Sequence, residues 1–263
     1  MAKGKMYAMK TLRRNAQRMA HFAPAGCLAA VILCLGFLAL NPVASAGRTP
    51  TCPSDMAFVP AGDYSFGTSK DKIKHIMKIC KESIGNCNDQ WFSPESQHYG
   101  HAKMQPVCVD RFEYPNEAGK LPATGADWRT AMKLCEARGK TLCADLEWEM
   151  ACAAGTRRAW PFGGVFEKHA CNVEGRGIEP SGSRAACVSP VGGGIYDMAG
   201  NAAEWTLSTM DEVYPDQGSR HYRVIKGGSY MDHPLFTRCA FRDAYDPAVN
   251  YDTFGFRCCS RPR

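Results

Sequence analysis

The sequence predicts an α+β fold with little regular secondary structure, held together by disulfide bonds. Three observations lead to this prediction. Twelve cysteines lie beyond residue 46, helical patterns are confined to residues before 156, and residues 156–263 are rich in Gly, Pro, Asn and aromatic side chains. A segment with this much aromatic and cysteine content has enough apolar surface to take part in a core and should be ordered. The last hundred residues are therefore expected to be irregular but folded.

Apolar stripes predict three helices. Residues 71–80 show the i, i+3, i+4, i+7 spacing of one helix face. The stripe consists of Ile73, Ile76, Met77 and Cys80. A second helix is predicted at 126–137, and a third begins near Asp145. The polar stretch 81–106 between the first two is predicted to be a loop.

Short β-like patterns supply the remaining elements. Residues 56–60 form an apolar segment ending at a proline, and residues 107–114 alternate between apolar and polar side chains. Alternation of this kind is typical of a strand with one buried face. Beyond residue 156 only short β-like pieces are expected.

Residues 1–46 are predicted to be a signal peptide rather than part of the fold. They carry six Lys or Arg and no acidic residue, then an apolar run at 28–40 and the small residues Ala44-Ser45-Ala46. This order is typical of a secretory signal, and the run is shorter than the ~20 residues that cross a membrane. The alternative is an uncleaved N-terminal anchor. The folded domain is therefore expected to comprise residues 47–263.

The charge balance argues against a nucleic-acid partner. The whole chain has 32 Lys and Arg against 26 Asp and Glu, and removing the six basic residues of the predicted signal leaves 26 of each. A protein that binds phosphate backbones needs a basic surface, which this balance does not suggest. Membrane contact is expected only through an uncleaved anchor.

The twelve remaining cysteines predict up to six disulfides. An even number in an exported chain is typical of a disulfide framework, and the absence of any CxxC pair argues against a zinc ribbon. The connectivity stays open, except that the neighbours Cys258 and Cys259 are expected to pair with different partners. Disulfides imply an oxidising compartment, so a periplasmic or secreted location is expected.

Eight motifs, taken in chain order, resemble one known family. They are MAFVPAG (56–62), VDRFEYPN (109–116), GKTLCADLEWEMACAAG (139–155), WPFG (160–163), CNV (171–173), GGGIYDMAGNAAEWT (192–206), IKGGSY (225–230) and FGFRC (254–258). Together they resemble the formylglycine-generating enzyme, or sulfatase-modifying factor, domain across nearly the whole mature chain. The resemblance implies an α+β fold related to C-type lectins, with little regular secondary structure.

Three positions within these motifs carry structural expectations. The third helix has Ala144 where relatives have a capping Thr, so either Asp145 or a disulfide at Cys143 is expected to hold its start. The glycines 227–228 allow positive φ or close backbone approach. Arg257 is expected to be a buried structural arginine paired with a carboxylate.

The segment Asp197 to Trp205 is the best candidate for a metal site. Asp197 and Glu204 offer two carboxylates on a glycine-containing loop that can turn carbonyl groups inward, as calcium prefers. The resemblance implies calcium here through the side chains of Asp197 and Glu204 and the carbonyls of Gly200 and Ala202. The alternative is that both carboxylates cap turns and pair with Lys or Arg.

A second calcium site is implied by the resemblance alone. It would use the Asn172 side chain and the Val173 carbonyl. The stretch that supplies its other ligands in relatives is shorter here, at about 175–183, which puts this site in doubt.

The family's oxidase chemistry is not expected. Relatives oxidise a substrate cysteine with copper(I) and oxygen, using two cysteines five residues apart, since soft thiolates select Cu(I). Here Asp232 and Thr237 stand at those positions, and their oxygens are hard ligands. Cys239 lies two positions late and is expected to form a disulfide. Copper and iron are therefore not expected as cofactors.

Two functional hypotheses follow. The first is an exported, non-catalytic, calcium-stabilised module that binds a protein partner or an envelope polymer, or serves as a structural part of the cell envelope. The second is a divergent oxidoreductase with non-haem iron or copper, in which Asp232, His233 and a further histidine hold the metal.

Overall fold

Short strands and four α-helices form the framework of the residues that the structure describes. The structure, a computed structural model, describes residues 50–210 and 221–263, and the predicted signal peptide lies outside them. The strands are β1 (Met56–Val59), β2 (Gly62–Phe66), β3 (Gly100–Met104), β4 (Val107–Asp110), β5 (Thr141–Leu142), β6 (Val188–Ser189), β7 (Ile195–Tyr196), β8 (Ala203–Thr209), β9 (Arg223–Lys226), β10 (Asp243–Tyr245), β11 (Phe254–Phe256) and β12 (Cys258–Ser260). The helices are α1 (Lys70–Ser83), α2 (Ser93–Gln97), α3 (Trp128–Glu136) and α4 (Asp145–Cys152). The α+β expectation is thus confirmed.

Two four-stranded sheets form the β part. The first has the order β1-β4-β12-β5 and joins the N-terminal strand of the described region to its C-terminal strand. The second has the order β10-β9-β8-β11, with β11 parallel to β8 and the other pairs antiparallel. Two antiparallel strand pairs, β2-β3 and β6-β7, complete the sheets.

The prediction of a loop at 81–106 is wrong, because this stretch contains three elements of regular structure. A 3-10 helix forms at Asp89–Trp91, then α2, and then β3, which pairs antiparallel with β2 over its whole length. The residues of β3 alternate between half-buried and exposed positions, and the half-buried Ala102 and Met104 pack against the core. This apolar face has only two side chains, which is too short to stand out within a polar stretch.

The predicted helices are confirmed, with caps that differ in origin. The α3 helix is capped by Asp127, whose carboxylate accepts a 2.7 Å hydrogen bond from the Thr130 amide. At α4, Ala144 offers no capping oxygen. Instead the Ser208 hydroxyl from β8 accepts from the Asp145 amide (3.0 Å), and the Glu147 carboxylate accepts from the Ala144 amide (3.0 Å). A side chain from the neighbouring strand β8 therefore supplies a capping oxygen that Ala144 lacks.

The helices pack on the two sheets. Most of α4 is buried, and its Trp148, Met150 and Cys152 form one core with β1, β4 and the segment around Met198. The α3 helix packs between the two sheets, with Ala131 and Cys135 in a core that contains Leu142 of the first sheet and Trp205 and Phe256 of the second. No helix of the described residues is long and apolar enough to cross a membrane.

Six disulfides link the elements, as predicted. They join Cys52–Cys108, Cys80–Cys87, Cys135–Cys258, Cys143–Cys259, Cys152–Cys239 and Cys171–Cys187. Cys258 and Cys259 do pair with different partners, one on α3 and one just before α4. The bond at Cys143 also holds the start of α4, as expected. A framework of this density indicates an oxidising compartment.

A buried charge cluster lies between α4 and the second sheet. Asp145 and Glu149 of α4 are both held by Arg242, at 2.7 Å and 2.5 Å. Lys226 of β9 lies 3.5 Å from Asp145 and 3.7 Å from Glu149, but its ammonium makes no hydrogen bond among the described residues. Burial, and next the positive charge of Arg242, lower the pKa of Lys226 to about 8.

The lowered pKa of Lys226 should make the free energy of unfolding depend on pH. The folded pKa of Lys226 lies below the unfolded value, so between pH 8 and 10.5 the unfolded chain binds a proton that the folded chain does not. The free energy of unfolding should therefore rise with pH in this window, on the order of 1–3 kcal/mol, relative to Lys226→Met. Urea titrations at pH 7.5 and pH 10 measure the difference. The exposed variant Lys103→Met is the control, and a gap that stays constant between the two pH values would contradict the assignment.

Candidate functional site

Two glycines direct the segment that follows β9. Gly227 and Gly228 have φ of 82° and 62°, and a Cβ would lie 3.1 Å from the Trp148 ring at the first and 2.9 Å from the Phe236 carbonyl at the second. Both the backbone conformation and the space therefore require glycine, as the sequence suggested. After this tight turn, Asp232 and Phe236 lie beside the second sheet, where they line a pocket together with residues such as Ile225 and Tyr245.

The two positions that carry cysteines in the resembling family are occupied by oxygen-bearing side chains with structural roles. Asp232 Oδ2 accepts hydrogen bonds from the Ser229 amide (2.6 Å) and hydroxyl (2.8 Å). Thr237 is fully buried, and its hydroxyl donates to the Pro234 carbonyl at 3.1 Å. Cys239 is bonded to Cys152 of α4. Within residues 50–210 and 221–263, each cysteine is in a disulfide, so this stretch holds no thiolate.

Asp232 and its neighbour His233 face different pockets. Asp232 lines a pocket of about 360 Å³ beside the second sheet, which we call the Asp232 pocket. His233 lines a separate pocket of about 940 Å³ next to α1 and Trp160, and its Nδ1 accepts from the Leu235 amide. The two side chains predicted to share an iron ion thus point into separate cavities.

The predicted calcium loop begins with a strained turn. Asp197, Gly200 and Asn201 all have positive φ, of 58°, 75° and 56°. A Cβ at Gly200 would lie 2.1 Å from the Asn172 carbonyl, and the Asn201 amide donates to that same oxygen at 2.8 Å. The structure therefore brings the two predicted calcium segments, residues 172–173 and 197–204, into direct contact.

Glu204 is already paired with a cation from the protein. Both its oxygens accept hydrogen bonds from the Arg257 guanidinium, the shortest at 2.6 Å, and one also accepts from the Trp148 indole at 2.6 Å. The expectation that Arg257 is a buried arginine paired with a carboxylate is confirmed. The sequence left two roles open for Glu204, a calcium ligand or the partner of a Lys or Arg. The structure shows Glu204 paired with Arg257.

Glu113 joins this region and was missed by the sequence reasoning. It is fully buried, and its carboxylate accepts from the Ser181 hydroxyl (2.8 Å), the Asn201 amide group (2.8 Å) and the Ala202 backbone (3.1 Å). The sequence placed Glu113 inside a strand predicted at 107–114 and inside the motif VDRFEYPN, whereas β4 ends at Asp110. An acidic residue in an alternating segment does not reveal which distant side chains it meets.

Glu113, Asp197 and Glu204 bring three buried carboxyl groups close to one another. Burial, then the charges of Asp197 and Glu204, raise the pKa of Glu113 to about 8. Burial also raises the pKa of Asp197 to about 6, against the lowering effect of a 2.6 Å hydrogen bond from the Gly182 amide. Arg257 is the cation that faces all three within the described residues. An added cation would favour the ionised carboxylates.

Some of the predicted ligands fit a calcium ion better than others. Asn172 Oδ1 is buried and has no hydrogen-bond partner among the described residues, while its amide nitrogen donates to Gly177 and Asn201. An unpaired buried amide oxygen is the kind of atom that a hard cation binds. Glu204 fits poorly because Arg257 holds it.

Backbone and amide oxygens would have to supply most of such a site. In the parts of the chain that the structure describes, no group of three or more His, Cys, Asp or Glu side chains is placed to hold a metal ion. Asn172 and the carbonyls of Val173, Gly200 and Ala202 are oxygen donors of the required kind. The six predicted ligands therefore remain a prediction.

Comparison with known proteins decides the family. Residues 43–262 match the family described as "Sulfatase-modifying factor enzyme 1-like domain". The chain belongs to this family. The resemblance drawn from the motifs is thereby confirmed over almost the whole predicted domain.

Relatives in this family include enzymes and a protein named as inactive. The chain is 31% identical over 162 residues to the mouse formylglycine-generating enzyme, covering 52% of this chain and 43% of the relative. It is 31% identical over 187 residues to the mouse "Inactive C-alpha-formylglycine-generating enzyme 2", covering 65% and 57%. It is 32% identical over 151 residues to the protein kinase pkn1 of Chlamydia caviae, covering 53% and 24%. The chain thus spans between a quarter and somewhat over half of these relatives' lengths.

Solved structures confirm the fold. PvdO from Pseudomonas aeruginosa superposes with a TM-score of 0.59 at 19% identity, covering 82% of this chain and all of that one. CarF superposes with a TM-score of 0.52 at 17% identity, covering 80% of this chain and 99% of that one. The predicted α+β, formylglycine-generating-enzyme-type and disulfide-rich fold is confirmed.

Proposed function

We propose that this protein is an exported, non-catalytic member of the sulfatase-modifying factor family that acts as a binding or structural module of the cell envelope. The observation that carries the proposal is the loss of sulfur at the two positions where the family holds copper. Asp232 and Thr237 stand there, both engaged in local hydrogen bonds, and the nearby Cys239 is closed in a disulfide.

The chemistry of these groups supports a binding role. Carboxylate and hydroxyl oxygens are hard donors and bind Cu(I) poorly, and a disulfide sulfur is not a thiolate. A family relative named as inactive supports the idea that this fold is also used without the oxidase reaction. In such a protein the irregular loops, held rigid by six disulfides, would present a binding surface.

Calcium is proposed as a stabilising ion at the contact between residues 172–173 and 197–204. The support is the unpaired Asn172 oxygen and the raised pKa values of Glu113 and Asp197, two buried carboxyl groups whose ionised forms a bound cation would stabilise. The ligands would be Asn172, Asp197 and the carbonyls of Val173, Gly200 and Ala202. Glu204 would join them only by releasing Arg257.

Export to the periplasm or the cell exterior is part of the proposal. The disulfide framework supports an oxidising location, and the predicted signal at 1–46 supplies a route. The proposed partner is a protein or an envelope polymer, and not a nucleic acid, because the domain without its signal carries balanced charge.

The alternative, a divergent iron or copper oxidoreductase, has less support. It needs Asp232 and His233 on one metal, whereas they line separate pockets. A rearrangement of residues 232–237 would be required to bring them together.

One experiment tests the proposed function. The exported protein, purified without chelators, is denatured for a free-thiol assay and analysed separately for bound metals. We expect no free thiol, calcium near one equivalent, no copper or iron, and a higher melting temperature with calcium than with EDTA. The matched variant Asp197→Asn should lose most of the calcium effect, whereas the exposed Asp63→Asn should keep it.

Other results of the same experiment would contradict parts of the proposal. Stoichiometric copper or iron, or a reactive thiol, would overturn the non-catalytic assignment and favour the oxidoreductase. No calcium and no melting shift would remove the calcium part and leave the rest standing.

A further inference from the structure

The Asp232 pocket is walled by aromatic rings. It opens between the second sheet and the segment that joins the end of α1 to the 3-10 helix at Asp89–Trp91, with Gly228 and Asp232 on a third side. Its aromatic lining consists of Trp91, Phe236, Phe241, Tyr245 and Phe254. A volume of about 360 Å³ suits one small ligand or one long side chain.

Two carboxylates are the charged groups among the described residues that line the pocket. They are Asp232, on the turn after β9, and Asp243, at the start of β10. Among the described residues, neither forms an ion pair with a Lys or Arg closer than 4 Å, unlike the buried carboxylates of α4. In this part of the chain the pocket therefore combines an apolar aromatic wall with two carboxylates that no cation pairs with.

Both carboxylates are held in fixed orientations. Asp232 Oδ2 is fixed by the Ser229 amide and hydroxyl. Asp243 Oδ1 accepts from the Ala244 amide at 2.8 Å, and its Oδ2 accepts from the Tyr245 hydroxyl at 3.1 Å. Anions that are already oriented cost a cationic ligand less conformational entropy on binding.

The charges influence each other inside the pocket. Asp243 is open to the pocket, yet protein surrounds it closely, and this partial desolvation raises its pKa. The negative charge of Asp232 raises it further. A bound cation would relieve this repulsion.

The rings are arranged so that a cation can reach an aromatic face. Tyr245 and Phe254 meet edge to face at 4.8 Å, and Trp91 meets Phe236 in the same way at 5.8 Å. In an edge-to-face pair, the ring that presents its edge does not cover its own two faces with the partner ring. Ammonium groups bind favourably within about 6 Å of aromatic faces, most strongly where water is excluded.

We propose that the Asp232 pocket binds an organic ammonium group, with the cation between Asp232 and Asp243 and its alkyl part against the aromatic wall. The inference rests on the proposed non-catalytic role of this position and goes beyond it by naming the ligand class. The same chemistry is offered by a lysine side chain of a partner protein and by a free alkylamine.

Calorimetric titration of the full exported protein in calcium-saturated buffer tests the proposal. The probes are Nα-acetyl-lysine methylamide, its trimethylated form, choline, and the neutral isostere Nα-acetyl-norleucine methylamide. We expect the cationic probes to bind at least tenfold more tightly than the norleucine compound. Tighter binding of the lysine probes than of choline would identify a protein side chain as the source, and the reverse order a free amine.

Two conservative variants locate the binding. Asp232→Asn keeps an oxygen for the Ser229 turn, and Asp243→Asn keeps one for Ala244, so both should fold. Each is expected to weaken cation binding about tenfold, while the exposed Asp63→Asn, outside the pocket, should not change it. Phe236→Leu should weaken binding of the trimethylated probe more than that of the unmethylated one, because it removes an aromatic face.

The proposal would be overturned by equal affinity for the norleucine and lysine probes, by undetectable binding at 10 mM probe, or by binding that both aspartate variants leave intact. None of these results affects the thiol and metal measurements that test the proposed function. Conversely, a metal found in those measurements would undermine the non-catalytic role without deciding whether ammonium binds.

Discussion

The substitution Arg257→Met is expected to lower the free energy of unfolding by about 3–5 kcal/mol. The Arg257 guanidinium holds both oxygens of Glu204 and also donates to the carbonyls of Asp110 (3.1 Å) and Tyr196 (2.9 Å). Methionine removes these bonds and leaves a fully buried carboxylate near Glu113 with no facing cation. Removing one partner of a buried ion pair is costly for this reason. Urea denaturation at fixed calcium concentration measures the loss.

A matched control separates burial from charge. Arg261 pairs with Glu147, but its side chain is 64% exposed, so Arg261→Met should cost less than about 1 kcal/mol. Adding Glu204→Gln to Arg257→Met should recover part of the loss, since glutamine is neutral and can still accept from the Trp148 indole. Equal effects of the two arginine variants would show that Arg257 is not a structural centre of the fold.

Replacing Cys152 and Cys239 together by alanine is expected to cost about 4–5 kcal/mol. This disulfide closes a loop of 87 residues and ties α4 to the segment that follows Asp232. In the chain-entropy account, a disulfide stabilises mainly by restricting the unfolded chain, and the effect grows with the logarithm of the loop length. The loss of the bond should appear as a lower urea midpoint.

The short-loop disulfide provides the comparison. Cys80 and Cys87 are only seven residues apart, so the corresponding double alanine variant should cost about 2 kcal/mol. Both pairs remove the same atoms, although Cys87 is less buried than the other three. Equal losses would mean that packing, rather than loop length, sets the contribution of these bonds.

The pattern-based predictions succeeded where local chemistry was sufficient. The helix at Lys70–Ser83 follows from its apolar stripe, and the pairing of Cys258 with a different partner from Cys259 follows from adjacency. β3 was missed because its apolar face consists only of Ala102 and Met104, within a polar stretch, and because its partner β2 is not adjacent to it in the chain. A strand with so short an apolar face, paired to a distant segment, gives a weak periodic signal.

The candidate site shows the same division. The substitutions at Asp232 and Thr237 are visible in the chain, as are the oxygen-rich residues of the 197–204 loop. That Glu204 is held by Arg257, that Glu113 joins Asp197, and that His233 faces away from Asp232 depend on contacts between segments far apart in sequence. These contacts decide which oxygens remain for a cation.

The sequence by itself determined the family motifs, the number of cysteines and the missing thiolate pair, because each depends on the identity of residues close together in the chain. The tertiary structure alone decided the disulfide partners, the raised pKa values of Glu113 and Asp197, and the meeting of Asp232 with Asp243 in one aromatic pocket. Charge and desolvation act through space over a few ångströms, so only the folded chain brings these groups close enough to interact.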